Sequence, residues 1–284
     1  MLKILILFNM KKKIATLILN RNLPEVTERL YEQIRKNDEL LTDIYVIEAG
    51  SDKDKLSKYT TWHATWESAR ADGLRYNRGM NYGLSQLYKE GKFDCYDAFL
   101  LLTNDTEFED RDNIRILAKV LDEHPKIGIL SPCSRRWGEI NLLNQYDTKY
   151  FWFIHNNAYL MRKEFIYSIC NLDELNHMNF LFDGSNFRGF GSEHEIIAKA
   201  YANDWSAAIT KRVISSENET HLLKSAAIIK TDDYQENLKL YLKEGKSWMK
   251  KKFGFNSHWS MQQYAKMFYD KFFEYNPELS TYKI

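Results

Sequence analysis

The chain has 284 residues, room for one large domain or two modest ones around a sizeable core. Hydrophobic residues make up 44% and charged residues 28%, and the formal net charge is +1, so no global basic field calls for nucleic acid. With 12 Gly and 4 Pro, long disordered linkers and collagenous segments are excluded. The aromatic share is high at 14%, which suits either core mass or faces that stack on sugars and nucleobases.

In chain order, Leu2 to Phe8 is apolar but too short for a membrane span of roughly 20 residues, and it lacks the cleavage site of a signal peptide. Met10 before three lysines offers an alternative start, so residues 1–9 read as an upstream extension. Ile14 to Leu19 is an apolar run of strand length ending in Asn20-Arg21-Asn22. Pro24 then opens a helical pattern through Leu40. Ile44 to Ile47 reads as a second strand, ending in Glu48-Ala49-Gly50-Ser51-Asp52. Arg75 to Leu87 holds Gly79 and Gly83 and then turns helical. Ala98 to Leu102 is a buried strand running into Thr103-Asn104-Asp105-Thr106-Glu107. A helix over Asn113 to Leu121 and a strand over Ile127 to Leu130, before Pro132, follow. Strand, loop and helix therefore alternate, which predicts an α/β sheet with right-handed crossovers. The polar clusters sit at the carboxyl ends of strands, where open α/β sheets bind ligands.

The second half is less regular. Tyr150 to Ile154 and Asn157 to Met161 read as strands or a bend, and Phe180 to Glu193 as a loop rich in Gly and Phe. Glu195 to Asp204 reads as a helix, Ala207 to Val213 as a strand, and the chain from Asp232 onward as helical. Cys95, Cys133 and Cys170 have neither zinc nor redox spacing, which predicts reduced thiols and a cytoplasmic setting.

Three constellations carry chemistry. If the chain stays extended, Asp105 and Glu107 point the same way, as two carboxylates suited to Mg²⁺ or Mn²⁺; an acidic turn is the alternative. In Gly189-Phe190-Gly191-Ser192-Glu193-His194-Glu195 the glycines permit close backbone approach and the carboxylates fall in the first turn of a helix. A carboxylate there can serve as a general base. The competing reading is a capping box of Ser192 and Glu195, which leaves Glu193 unexplained. The third is His221, a lone histidine after the last strand.

Taken in order, these segments resemble a nucleotide-sugar glycosyltransferase of the GT-A type, closest to the inverting family 2 enzymes, over roughly residues 12–230. The resemblance implies a Rossmann-like mixed sheet flanked by helices as a catalytic domain over 1–230, with a C-terminal helical extension over 231–284. It also implies a nucleotide-diphosphate sugar as donor, Mn²⁺ or Mg²⁺ as cofactor, and a carbohydrate or glycolipid acceptor in polysaccharide or glycoconjugate synthesis. On the donor side it assigns Asn20, Arg21 and Asn22, then Glu48 and Ser51 at the uracil or ribose, with Glu where Asp is usual. Asn77-Arg78-Gly79-Met80-Asn81-Tyr82-Gly83 is a shortened form of the Asn-x-Gly stretch beside the diphosphate, so Asn77, Gly79 and Asn81 join the donor-side set together with Arg75 and Asn104. Thr103-Asn104-Asp105-Thr106-Glu107 is similar to the family's Asp-x-Asp metal motif. His221 with Ser225 is similar to the late His-x-x-x-Ser that closes the metal site, so the implied ligands are Asp105, Glu107 and His221. The Gly-Phe-Gly-Ser-Glu-His-Glu run is similar to the motif that supplies the catalytic base, here Glu193, with His194, at a position where some relatives carry the basic Asp, as the alternative base.

Trp137, Trp152, His155, Asn156 and Asn157 lie where such enzymes build the acceptor side; core aromatics and a polar strand end explain them equally well. The lysine- and aromatic-rich tail suits either peripheral contact with an anionic membrane or packing on the catalytic domain with its lysines in water. Two other functions compete: a sugar- or nucleotide-binding protein that keeps the fold without turnover, and a sugar nucleotidyltransferase. The second is disfavoured because the loop after the first strand lacks glycine.

Overall fold

Strand β1 (Ile14–Asn20) and strand β4 (Ala98–Thr103) are near-continuous apolar runs, the pattern of parallel strands covered on both faces. They pair in parallel with each other, and β1 pairs in parallel with β2 (Thr42–Glu48), which pairs with β3 (Thr60–His63). The sheet then changes direction. Antiparallel β8 (Ala158–Arg162) lies between β4 and β6 (Ile127–Ser134), and β6 pairs in parallel with β9 (Ser206–Glu217). The short strands β5 (Thr106–Phe108) and β7 (Thr148–Tyr150) both pair with β9, giving the order β3-β2-β1-β4-β8-β6-β9-β5. The structure is a computed structural model that describes residues 14–218 and 234–284. The expectations for residues 1–9 and for His221 lie outside the described residues.

The helices are α1 (Pro24–Asp38), α2 (Glu67–Asp72), α3 (Arg75–Lys89), α4 (Asn113–Glu123), α5 (Lys163–Ile169), α6 (Ser192–Ala202), α7 (Tyr234–Phe253) and α8 (His258–Tyr275). From β1 the chain builds β2 and β3 on one side and β4 on the other. The carboxyl ends of β1 and β4 therefore flank a topological switch point, the usual place for a ligand crevice in such sheets.

Two local expectations are refined. The segment from Arg75 is helical throughout, straight through Gly79 and Gly83. These glycines share one face of α3, and a Cβ on either would fall 2.3 Å from Leu19 Cδ1 or Ile47 Cδ1. Their role is close helix–sheet approach. Strand β6 continues past Pro132 to Ser134, with a register shift between Pro132 and Cys133. Proline donates no backbone hydrogen bond, so the ladder is interrupted there without ending the strand.

Helices α7 and α8 pack on the sheet domain. Tyr269, Phe272 and Phe273 of α8 enter the main core, and Phe190, Trp248, Met249 and Met261 form a smaller apolar cluster. Most of the tail's aromatic mass is thus packing. Lys239, Lys243, Lys246, Lys250 and Lys251 are exposed. Among the described residues no helix is long and apolar enough to cross a membrane.

The tail is also held by charge. Lys252 Nζ donates to Asp183 Oδ2 at 2.6 Å and to the buried Glu195 Oε1 at 2.8 Å, and Trp248 Nε1 donates to Asp183 Oδ2 at 3.0 Å. Burial raises the Asp183 pKa, but Lys252, Ser185 and Trp248 outweigh it and hold the carboxylate well below its usual range. Lys252→Met leaves two carboxylates short of a donor. It is expected to lower the unfolding free energy by about 1–3 kcal/mol, read by urea denaturation. An unchanged midpoint would exclude Lys252 as a tether.

Candidate functional site

The carboxyl end of β1 is cross-linked to β2 by side chains. Glu48 is fully buried. Its Oε2 accepts from Asn20 Nδ2 at 2.9 Å and Ser51 Oγ at 2.5 Å, and its Oε1 accepts from Ser57 N at 2.9 Å and Thr60 Oγ1 at 3.0 Å. Asn22 N donates to Ser51 Oγ, and the Asn22 amide exchanges hydrogen bonds with Asp52. Arg21 donates to the carbonyls of Ala49, Ala69, Arg70 and Ala71, satisfying the carboxyl end of α2. Asn104 Nδ2 joins this network through Asn20 Oδ1 at 3.0 Å and Thr27 Oγ1 at 3.1 Å.

On α3 the residues expected at the diphosphate hold a loop instead. Asn81 Nδ2 donates to the carbonyls of His177 and Phe182, and its Oδ1 accepts from Leu181 N and Phe182 N. Asn77 Nδ2 donates to the carbonyls of Asp183 and Asn186, while Arg75 and Arg78 lie over the Phe187 ring. Asn77 and Asn81 are buried, so the loop that precedes α6 is positioned by α3. Of the expected donor-side residues, Arg21, Arg75 and Asn104 are half-buried, while Asn20, Asn22, Glu48, Ser51, Asn77 and Asn81 are buried.

The acidic pair after β4 does not lie on one straight strand. The chain turns at Asn104 and Asp105 before β5 begins. Asp105 is half-buried at the switch point; Glu107 is exposed. Glu107 lines a groove against α1 with Val26, Arg29 and Gln33, and its Oε1 accepts from Asn218 Nδ2 at 2.7 Å. Period-two alternation fails here because Asp105 itself lies in the turn, while Glu107 lies in β5.

The amino end of α6 gathers the second set of groups. Gly191, in the left-handed region at φ 80, precedes the helix without a side-chain cap. The capping-box reading therefore fails: Ser192 is the first helical residue, and Glu195 instead meets Lys199 and Lys252. Glu193 is 13% exposed and His194 fully buried, with His194 Nδ1 3.2 Å from Glu193 Oε1. His258, the first residue of α8, is 36% exposed, with Nε2 3.9 Å from the same oxygen. Burial raises the Glu193 pKa, yet the two histidines outweigh it and hold the carboxylate well below its usual range. Phe153 and Phe190 wall the cluster. Tyr241 lies within electrostatic reach of both Glu193 and Glu217; burial first, then those carboxylates, pushes its pKa up.

The two sets are joined by one segment. His155 is within electrostatic reach of Glu193, His194 and His258, and its pKa is lowered, chiefly by burial. Two residues on, at most about 7 Å of chain, the Asn157 carbonyl accepts from Thr103 N at 3.3 Å and Thr106 Oγ1 at 3.1 Å. The Glu193 cluster and the Asp105 turn therefore border one region.

The expected acceptor residues divide. Trp137 and His155 stack with ring centroids 4.0 Å apart, and Trp137 is 52% exposed. Asn156 is half-buried beside them in sequence. Asn157 is buried and braces the Asp105 turn, and Trp152 packs on Tyr269 under Lys266. Sequence reasoning missed His258, because it is more than 60 residues from Glu193 along the chain and carries no motif. Among the described residues, Glu193, His194 and His258 are the one group of three with metal-binding donor types in mutual reach.

No protein-family model and no curated protein sequence matches the chain. Solved structures do. The chain is similar to the mannosyltransferase PcManGT of Pyrobaculum calidifontis in complex with GDP-Man and Mn²⁺, at TM-score 0.50 and 12% identity, covering 81% of this chain and 64% of that one. It is similar to GalNAc-T7 with UDP, GalNAc and Mn²⁺, at TM-score 0.57 and 9% identity, covering 95% and 58%. It is also similar to S. aureus TarS in complex with UDP-GlcNAc, at TM-score 0.53 and 11% identity, covering 92% and 73%. The chain spans less than two thirds of the length of the first two of these proteins. At these identities the likeness is one of fold: the chain has the GT-A-type fold seen in nucleotide-sugar glycosyltransferases.

Proposed function

We propose that the protein transfers a sugar from a nucleotide-diphosphate donor to an acceptor hydroxyl with inversion of configuration, and that Glu193 is the general base. The observation that carries this reading is the segment from His155 to Asn157, which borders both the Glu193 cluster and the Asp105 turn at the switch point. A base and a donor-side carboxylate bordering one region is the arrangement a single displacement needs.

Each group then has a task. Glu193, ionised at neutral pH beside two imidazoles, accepts the proton of the attacking hydroxyl. His194 and His258 orient the carboxylate. The stacked Trp137–His155 pair offers an exposed ring face to an acceptor sugar. Asn20, Glu48, Ser51, Asn77 and Asn81 position loops, so donor contacts fall to half-buried Arg75 and Asn104 and to loop backbone. Carboxylate oxygens suit a hard divalent cation, and Asp105 is the ligand this reading keeps, since Asn218 occupies one Glu107 oxygen. When bound, Mn²⁺ or Mg²⁺ neutralises charge on the departing diphosphate.

The test is a thermal-shift screen of nucleotide sugars with and without Mn²⁺, followed by transfer or hydrolysis of the donor that responds. A metal-dependent shift with turnover is expected. A shift without turnover would favour a non-catalytic binding protein, and no shift with any donor would overturn the donor assignment. Asp105→Ala should weaken Mn²⁺-dependent donor binding by about tenfold or more, the scale of disturbing even an outer-shell partner. An unchanged Mn²⁺ titration would remove Asp105 as a ligand.

A further inference from the structure

We infer that Glu193, His194 and His258 form a binding site for a borderline transition-metal dication, Zn²⁺ in particular, separate from the carboxylate site at Asp105. One ligand atom from each residue lies within 4.8 Å of the others. Two of the separations are 3.2 and 3.9 Å. Zinc bonds of about 2.0–2.2 Å in tetrahedral geometry place ligand atoms roughly 3.4 Å apart. The observed spacing brackets that value, and half-exposed His258 can close the remaining gap by rotating its ring.

A second observation points to a ligand. His194 is fully buried, yet neither of its ring nitrogens makes a hydrogen bond, and His258 Nε2 makes none either. The 3.2 Å approach of His194 Nδ1 to Glu193 is an ion-pair distance without hydrogen-bond geometry. Buried polar groups left without partners cost free energy, so an interior with three such nitrogens beside one carboxylate calls for an explanation. A metal that accepts one imidazole lone pair from each histidine takes up two of these three nitrogens, one from each ring. The two imidazoles select against Mg²⁺ and Ca²⁺, which take oxygen ligands, and in favour of zinc. Phe153 and Phe190 supply a dry wall, and a water or other small ligand completes four-coordination.

The site rests on side-chain geometry and does not depend on the transferase reading. One consequence does depend on it: a zinc ion here takes the Glu193 lone pair that an acceptor proton needs, so zinc and turnover exclude each other.

The experiment is calorimetric titration of the full chain with Zn²⁺ alone, with metal content measured after dialysis. One zinc per chain is expected. His258→Ala and Glu193→Gln, each checked for folding by circular dichroism, should weaken binding by at least about tenfold, while Asp105→Ala leaves it unchanged. A wild-type chain that binds no zinc overturns the proposal. So does zinc binding that survives both His258→Ala and Glu193→Gln, or that is lost in Asp105→Ala. Because no donor is present, these outcomes are independent of the nucleotide-sugar screen.

Discussion

Glu193→Gln should lower turnover by about 10²–10⁴-fold, the range general-base catalysis supplies, while donor binding stays close to wild type. Glutamine fills the same volume at the amino end of α6 and can still accept a hydrogen bond. What it lacks is a lone pair able to take a proton at neutral pH. The change also has a signature in stability. The folded-state pKa of Glu193 is depressed, so its anion stabilises the fold fully above the ordinary glutamate value of about 4.3, and this contribution is lost as pH falls through the folded value. The variant should therefore be somewhat less stable at neutral pH, with a flatter stability curve in acid. Steady-state rates, donor calorimetry and urea denaturation across pH separate these effects. Near wild-type turnover in the variant would remove Glu193 from the base role whatever the stability data show.

Glu48→Ala is expected to act on the fold. The carboxylate is fully buried and accepts from Asn20, Ser51, the Ser57 backbone and Thr60, so it ties the carboxyl ends of β1 and β2 to the start of β3. Removing it leaves the Asn20 amide and the Ser57 N–H without their acceptor in a site closed to water. A loss of about 3–5 kcal/mol follows, the scale for breaking a buried charged network by deleting one member. Thermal and urea unfolding measure it. The resemblance-based assignment of Glu48 to uracil or ribose makes the opposite forecast, weaker nucleotide binding with unchanged stability. The two outcomes are distinguishable in one pair of experiments.

Strands β1, β2, β4, β6, β8 and β9 and the helices α1, α4 and α6 were legible because their signals are local. Ile14 to Leu19 and Ala98 to Leu102 are apolar runs of strand length, each followed at once by polar residues. Strand β3 and helix α2 are short and carry no strong period, and they went unread. The helical run through Gly79 and Gly83 was misjudged as partly loop, because glycine punctuates most helices; here it admits Leu19 and Ile47.

By itself, the sequence determined the alternation of strand and helix, the position of polar clusters at strand ends, and the placing of Glu193 and Glu195 in the first turn of a helix. Each of these is a property of neighbouring residues. Tertiary structure decided which polar side chains remain available. Asn77 and Asn81 resemble ligand-binding amides in sequence, but a loop more than 95 residues away takes both the Nδ2 and the Oδ1 of Asn81 and the Nδ2 of Asn77. The Asp105–Glu107 pair parted because Asp105 sits in the turn and Glu107 in the strand that follows it. His258 joined Glu193 because α8 packs across α6 and brings the two together. Hydrogen-bond completion and burial are set by partners distant in the chain, so spacing along the sequence is silent on them.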